Sequence, residues 1–334
     1  MPTALVTGGG GFLGLYITEQ LRERGINVRV YCRRRHPQLE KLGVEWSAGD
    51  VRDAEQVIRA CEGVDVVFHT AGLPGIWGPW RLYHETNTQG TLNVIEGCRK
   101  HAIPKLVFTS SASVVFDGSP HNHLFDQQSY PPRYLCHYSH SKAIAERAVL
   151  AANGNEGMTT VALRPHLIWG PRDNHLVPRL IARARAGRLR RVGDGTNLIS
   201  IVYVENAAAA HLQAADVLAP DSPAAGQAYF VNEPAPVNLW EWINELLKRA
   251  GLPPVTKTMS LNAAWRGGAL LEALHWLFRR SGEPTMTRFL ALQLATTHYY
   301  DHAKAERDFG YKTLVDVNEG LRRLEPELRR LGTQ

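Results

Sequence analysis

The sequence has few cysteines and no long apolar run, and each shortage excludes a class of protein. Cys32, Cys61, Cys98 and Cys136 show no C-x-x-C spacing, so we expect reduced thiols rather than a disulfide framework, and no metal site. No apolar run approaches the roughly 18 residues that span a bilayer. The first four residues lead directly into a strand pattern and leave no room for a cleavable leader, so we expect a cytoplasmic protein.

Basic residues outnumber acidic residues, and the formal net charge is +6. Arginines cluster between positions 179 and 191 and again between 322 and 330. Such runs usually form a solvated helix face, and the alternatives are an anionic ligand or a lipid surface. No aromatic residues alternate with these arginines and no nucleic-acid-binding motif accompanies them, so we expect no nucleic-acid partner.

Near the N-terminus the sequence LVTGGGGFLG predicts a buried strand, a glycine turn and a helix. Gly8 permits the turn, Gly11 lets the backbone approach a pyrophosphate, and Gly14 allows close packing of the helix on the strand. Phe12 and Leu13 begin the helix, whose free N–H groups bind phosphate. The pattern predicts a dinucleotide-binding site, and a glycine-rich loop without a ligand is the alternative.

The end of the second predicted strand, residues 26–32, indicates which dinucleotide binds. An acidic side chain there would bind the ribose 2′-hydroxyl of NAD, whereas arginine accommodates the 2′-phosphate of NADP. The sequence has Arg33 and Arg34 at this point and no acidic residue between Ile26 and Gln38. Since guanidinium groups bind phosphate through a planar fork, we predict NADP(H) as the cofactor. Surface arginines without a ligand are the alternative.

Further strands are predicted at 44–48, 64–69 and 105–110, and they alternate with helices such as 12–24 and 83–101. This alternation predicts an α/β fold of the Rossmann type, a doubly wound parallel sheet with ligands at the carboxyl ends of its strands. Four residues at those ends are further candidates for cofactor binding, namely Asp50, Val51, Ala71 and Gly72. We expect residues 1–171 to form the NADP-binding domain, with some later segments returning to it, and residues 172–334 to form mainly a smaller α/β substrate lobe.

Tyr138 and Lys142 lie four residues apart in a predicted helix, so both side chains project from one face. A nearby ammonium would lower the tyrosine pKa, which is otherwise near 10, and make the phenol a better acid and base. Ser111 follows the fifth strand and would hydrogen-bond a substrate oxygen. The three residues form a candidate catalytic triad, and a structural serine and tyrosine are the alternative. Tyr300 and Lys304 have the same spacing but lie far along the chain from the glycine turn.

Two apolar segments are candidates for the substrate pocket. Trp77 and Trp80 lie in a loop rich in glycine and proline and predict an apolar lip, although local packing fits nearly as well. Residues 261–278 predict an apolar helix. Core packing is our first interpretation of this helix, and a lipid-facing mouth or a peripheral membrane contact is the second.

With TGGGGFLG, SSASV at 110–114 and YSHSK at 138–142, the chain resembles the extended short-chain dehydrogenases. The run LRPHLIWGPRD at 163–173 is similar to the 3β-hydroxysteroid dehydrogenase group of that family. The resemblance implies that Ser111, Tyr138 and Lys142 are catalytic, that Tyr138 and Lys142 also contact the cofactor, and that Pro165 touches the nicotinamide. It also implies a homodimer.

Two subgroups are especially similar to the chain, the sterol-4-carboxylate 3-dehydrogenases and the 2-alkyl-3-oxoalkanoate reductases of olefin biosynthesis. Because Arg33 and Arg34 favour NADPH, we expect a reductase of lipid metabolism that acts on a bulky 2-alkyl-3-oxo acid. An NAD(P)-dependent 3β-hydroxysteroid dehydrogenase is the alternative. A sugar-nucleotide epimerase or dehydratase and a cofactor-sensing binding protein are more distant alternatives.

Overall fold

A seven-stranded parallel sheet forms the centre of the computed structural model, which describes residues 2–124, 129–280 and 282–333. The strands are β1 Thr3–Thr7, β2 Asn27–Cys32, β3 Glu45–Ala48, β4 Val66–His69, β5 Lys105–Thr109, β6 His121–Leu124, β7 Thr159–Pro165, β8 Ile168–Trp169, β9 Arg191–Val192, β10 Leu198–Ile199, β11 Val202–Tyr203, β12 Gln227–Val231, β13 Val237–Asn238, β14 Thr258–Met259 and β15 His298–Tyr300. The order in the central sheet is β12-β7-β5-β4-β1-β2-β3. The predicted Rossmann-type fold is confirmed.

Helices cover both faces of this sheet, as its continuous apolar strands require. The α-helices are α1 Phe12–Glu23, α2 Pro37–Lys41, α3 Ala54–Ala60, α4 Trp80–Tyr83, α5 Gly90–Lys100, α6 His137–Ala151, α7 Leu176–Arg185, α8 Val204–Val217, α9 Leu239–Arg249, α10 Leu261–Leu277, α11 Arg288–Ala295, α12 Ala303–Phe309 and α13 Val317–Thr333. Helices α1 and α8 share one buried cluster with the sheet, and α3, α5 and α6 share the other. The carboxyl ends of β1, β4, β5 and β7 therefore meet at one edge, where the site is built.

Two segments beyond residue 171 return to this part of the molecule. Strand β12 pairs with β7 at the edge of the central sheet, and α8 packs against α1. A separate apolar cluster, which includes Trp169, Trp240 and Trp242, is formed mainly by residues beyond 171. Strands β6, β10, β13 and β15 form a second, small sheet, to which the earlier segment contributes β6. The division into two domains at residue 171 stays a prediction.

The single long helix predicted over residues 83–101 is more complex in the structure. It begins at Trp80, and its second part, His84–Gln89, has π-helical hydrogen bonding before α5 continues to Lys100. Such local widening of a helix is frequent at functional sites. In this case it lies directly beside α6, the helix that carries Tyr138 and Lys142.

Core packing was the wrong first interpretation for α10. Only Ala264, Gly268 and Glu272 are buried in this helix, whereas Trp276 is 80% exposed and Leu270 is 61% exposed. The helix contacts the rest of the protein through one narrow stripe and leaves most of its apolar surface uncovered.

Candidate active site

The glycine turn after β1 is shaped for a ligand's phosphates. Gly8 has a φ of +74°, and a Cβ there would lie 2.8 Å from the Ala71 backbone. At Gly14 a Cβ would collide with the Gly8 carbonyl oxygen. Gly11 precedes α1, and no side chain of the described residues caps that end of the helix. The first N–H groups of α1 therefore remain available for an anion, and the turn fits a pyrophosphate.

A cleft of about 650 Å³ opens at this turn. Eleven residues predicted to bind the cofactor line it: Gly8, Gly11, Phe12, Leu13, Gly14, Arg33, Arg34, Asp50, Val51, Ala71 and Gly72. The sequence analysis missed several others, among them Tyr31, Thr86, Asn174 and His175. The last two come from the segment after residue 171, which approaches the cleft only in the folded chain. The Asp173 carboxylate holds that segment by accepting hydrogen bonds from the backbone N–H groups of His175 and Val177.

The ribose end of the cleft is basic. Arg33 and Arg34 are exposed there, and neither has an ion-pair partner among the described residues. Asp50 is the one carboxylate among the residues that line the cleft, and it forms a two-pronged ion pair with Arg52 at 3.0 and 2.8 Å. The hydrogen bond from Arg52 lowers the pKa of Asp50. This carboxylate is thus already engaged, while two guanidinium groups face the cleft.

Ser111 and Tyr138 are brought together from segments that are 27 residues apart in the chain. Ser111 has extended backbone geometry and precedes a short 3₁₀ helix, Ala112–Val115, so that its hydroxyl also accepts a hydrogen bond from the Ser113 N–H. Burial raises the pKa of Tyr138 to about 12, and a hydrogen bond from the Ser111 hydroxyl opposes this rise. The pair can hold a substrate oxygen between a donor and a proton source.

Lys142 lies one turn further along α6 and is buried. Its Nζ donates a 2.5 Å hydrogen bond to the Thr109 carbonyl oxygen, at the end of β5. Burial lowers the pKa of this ammonium to about 7, and Glu146 opposes that shift. The predicted lowering of the Tyr138 pKa by Lys142 is not found, because the ammonium is directed towards Thr109 and burial dominates at the phenol.

Helix α6 is fixed on both sides of these residues. The Asn87 amide, in the π-helical stretch, donates to the Ser141 hydroxyl at 3.0 Å, and the Thr88 hydroxyl donates to the Ser141 carbonyl oxygen at 3.0 Å. Below Lys142, the buried Glu146 carboxylate accepts two-pronged hydrogen bonds from Arg164. These partners restrict the helix and so set the positions of Tyr138 and Lys142.

A second cavity, of about 1190 Å³, lies beside the start of α6. Cys136 and His137, the two residues before Tyr138, line it together with Trp77 and Trp80. The two tryptophans thus lie at a pocket, as predicted. Trp80 stacks on His140 with ring centroids 4.7 Å apart, and this contact fixes Trp80 to α6. The cavity exceeds the usual size of a small-ligand site and accommodates a bulky substrate.

Arg172 forms a two-pronged ion pair with Glu19 and stacks on Tyr16, so its guanidinium is already engaged. Pro165 ends β7 at the same edge of the sheet, and its contact with the nicotinamide stays a prediction. Among the described residues no cluster of three or more His, Cys, Asp or Glu is arranged to hold a metal ion.

Comparisons with known proteins agree with this geometry. The sequence profile of the "3-beta hydroxysteroid dehydrogenase/isomerase family" matches residues 5–262. A 2-alkyl-3-oxoalkanoate reductase from Stenotrophomonas maltophilia is 48% identical over 96% of this chain and 98% of its own length. The mouse sterol-4-alpha-carboxylate 3-dehydrogenase, decarboxylating, is 35% identical over 95% of this chain and 88% of its own length. Among solved structures, MoeE5 in complex with UDP-glucuronic acid and NAD matches with a TM-score of 0.74 at 25% identity, over 98% of this chain and 99% of MoeE5.

Proposed function

This chain belongs to the 3-beta hydroxysteroid dehydrogenase/isomerase family, and we propose that it reduces the 3-oxo group of a 2-alkyl-3-oxoalkanoate with NADPH. One observation carries the proposal. Ser111, which follows β5, hydrogen-bonds Tyr138, and Cys136 and His137, the two residues before Tyr138, line the apolar cavity. A hydride donor in the cleft and a bulky ketone in the cavity would both reach Ser111 and Tyr138.

Tyr138, Ser111 and Lys142 each have a separate role in the proposed reaction. NADPH, when bound, supplies the hydride that forms the new C–H bond at the carbonyl carbon. Tyr138 Oη gives its proton to the carbonyl oxygen, and the Ser111 hydroxyl donates a hydrogen bond to the same oxygen. Lys142 would hold the ribose of the nicotinamide. A pKa of about 12 keeps Tyr138 protonated at neutral pH, the form that reduction requires.

The preference for NADPH is supported by the two guanidinium groups that line the ribose end of the cleft. Arg33 and Arg34 match the geometry and charge of a 2′-phosphate. The carboxylate of Asp50, which could otherwise bind a 2′-hydroxyl, is paired with Arg52. A steroid substrate is the second candidate, because the mouse relative named as a sterol dehydrogenase is 35% identical.

Product analysis tests the proposed reaction. We expect one 2-alkyl-3-hydroxy acid for each NADPH oxidised. An enzyme that epimerises a sugar nucleotide would return its cofactor to the starting state and show no net oxidation of added NADPH. That result would contradict the proposal.

The proposed partners are a lipid-like substrate and a second copy of the chain. No helix in the described part of the chain is long and apolar enough to cross a membrane. The homodimer remains a prediction, and light scattering of the purified protein tests it.

A further inference from the structure

The cavity beside Tyr138 has one wall made by α10, a helix with an unusual distribution of burial. Its buried stripe packs on α11. A Cβ at Gly268 would lie 2.7 Å from the Thr287 carbonyl carbon, and Glu272 accepts two 2.7 Å hydrogen bonds from Arg288. The helix is held mainly through this stripe, with further contacts from His275 to Trp77 and from Trp265 to Arg288, whereas Leu270, Trp276 and Leu277 stay largely exposed.

A second stripe of α10 faces the cavity. Its residues are Ala269, Ala273, Trp276 and Leu277, which recur at the spacing of one helix face. The two alanines leave open space, whereas Trp276 and Leu277 are 80% and 64% exposed at the far end.

Trp77, Trp80 and Leu135 add apolar surface elsewhere in the lining of the cavity. The polar groups of the lining include His137, His275 and the ion pair of Glu272 with Arg288. The apolar stripe of α10 continues past the cavity into solvent. The shape is that of a trough that begins near Tyr138 and ends on the surface of α10.

We propose that this stripe of α10 binds an alkyl chain of the substrate, with Trp276 and Leu277 covering its distal part. The inference rests on the proposed function, since it assigns the tail of the molecule whose oxo group is reduced at Tyr138. A chain too long for the cavity would cover apolar surface that is otherwise exposed to water, and this burial is favourable. Arg279 and Arg280 follow at the open end, so the trough changes from apolar to basic where the chain would end.

A series of 2-alkyl-3-hydroxy acids of increasing chain length, oxidised with NADP⁺, tests the assignment. Oxidation avoids the use of free 3-oxo acids, which lose CO₂ spontaneously. Each methylene that is buried should raise kcat/KM by up to about fourfold. The gain should continue beyond the length that the cavity alone accommodates.

Variants of α10 test whether the alkyl chain binds in the trough or on another exposed part of the helix. In the double variant Trp276→Ser/Leu277→Ser, kcat/KM should stop rising with chain length for the long acids and stay unchanged for the short ones. Leu270→Ser is the matched control, because Leu270 is 61% exposed on the same helix but does not line the cavity. Ala269→Phe, which fills the trough nearer its origin, should exclude long acids while short acids still turn over.

Three results would overturn the inference. The first is the same dependence on chain length in the double variant and in the wild type. The second is loss of long-chain turnover in Leu270→Ser as well. The third is loss of binding to anionic phospholipid vesicles in the double variant with an unchanged chain-length dependence, which would assign the stripe to a membrane surface. Failure of the proposed function is distinguishable, because the wild type would then oxidise no acid of any length.

Discussion

The Lys142 ammonium lies 4.0 Å from the centroid of the Phe108 ring. Phe108 is fully buried in β5, and His69 stacks on it with ring centroids 5.5 Å apart. Burial lowers the pKa of His69 to about 3, so this imidazole is neutral. Glu146, the other titratable neighbour of Lys142, is paired with Arg164. Glu146 therefore favours the charged form of Lys142 from a distance, and the aromatic face and the Thr109 carbonyl favour it by direct contact with the ammonium.

Phe108→Leu should lower the pKa of Lys142, which is about 7 in the wild type. The ring favours the ammonium by about 0.5 to 2 kcal/mol, so its loss shifts that pKa down by about 0.5 to 1.5. If catalysis needs the ammonium, activity declines as pH rises through this pKa. The alkaline limb of the kcat/KM profile should then move to lower pH. Phe68→Leu is the matched control, since Phe68 is also buried in the sheet, and an unmoved limb in Phe108→Leu would refute the role of the ring.

Tyr138→Phe should reduce kcat by about 10²- to 10⁴-fold with saturating cofactor, because the proton donor is lost while the ring is kept. Thermal unfolding should change little. Tyr300→Phe provides the comparison: Tyr300 has the same spacing to a lysine, and its buried hydroxyl has no hydrogen-bond partner in the described part of the chain. Wild-type turnover in Tyr138→Phe would exclude the proposed proton transfer.

Arg33→Ser/Arg34→Ser should raise KM for NADPH by at least roughly tenfold, since each charge-assisted hydrogen bond contributes about 1.5–3 kcal/mol. KM for NADH, which lacks the 2′-phosphate, should stay nearly constant. Arg35→Ser is the matched control from the same run, because Arg35 is paired with Glu40 at 3.3 Å. Equal loss of affinity for NADPH and NADH would show that these arginines do not bind the 2′-phosphate.

Arg164→Met should lower the free energy of unfolding by about 3–5 kcal/mol, because the fully buried Glu146 carboxylate would lose its counter-ion. Arg172→Met removes an ion pair of Glu19 that is partly exposed and should cost about 1 kcal/mol or less. Urea unfolding of both variants measures the difference. Similar losses in the two would mean that the buried pair is not the stronger contributor.

The sequence predicted the central sheet and the cofactor cleft because their signals are local. An apolar strand followed by spaced glycines allows few structures, and the residues at strand ends follow from the parallel topology. Asn174 and His175 in the cleft were missed because they depend on tertiary contacts of a segment that begins after residue 171. No local sequence pattern predicts such a tertiary contact.

The properties of Lys142 and α10 show a second limit of sequence analysis. The spacing of Tyr138 and Lys142 predicted a shared helix face, but not that burial would dominate both pKa values. In α10 the apolar composition predicted a helix without showing what covers it, because periodicity reports which residues are apolar and not whether a partner exists. The apolar periodicity likewise did not predict the π-helical stretch His84–Gln89.

Initial rates with NADPH and with NADH, measured on a 2-alkyl-3-oxoalkanoate and on a 3-oxosteroid, test the central claim most directly. The account predicts that NADPH with the oxo acid is the fastest of the four combinations. Faster oxidation of NADH, or faster reduction of the steroid, would contradict it.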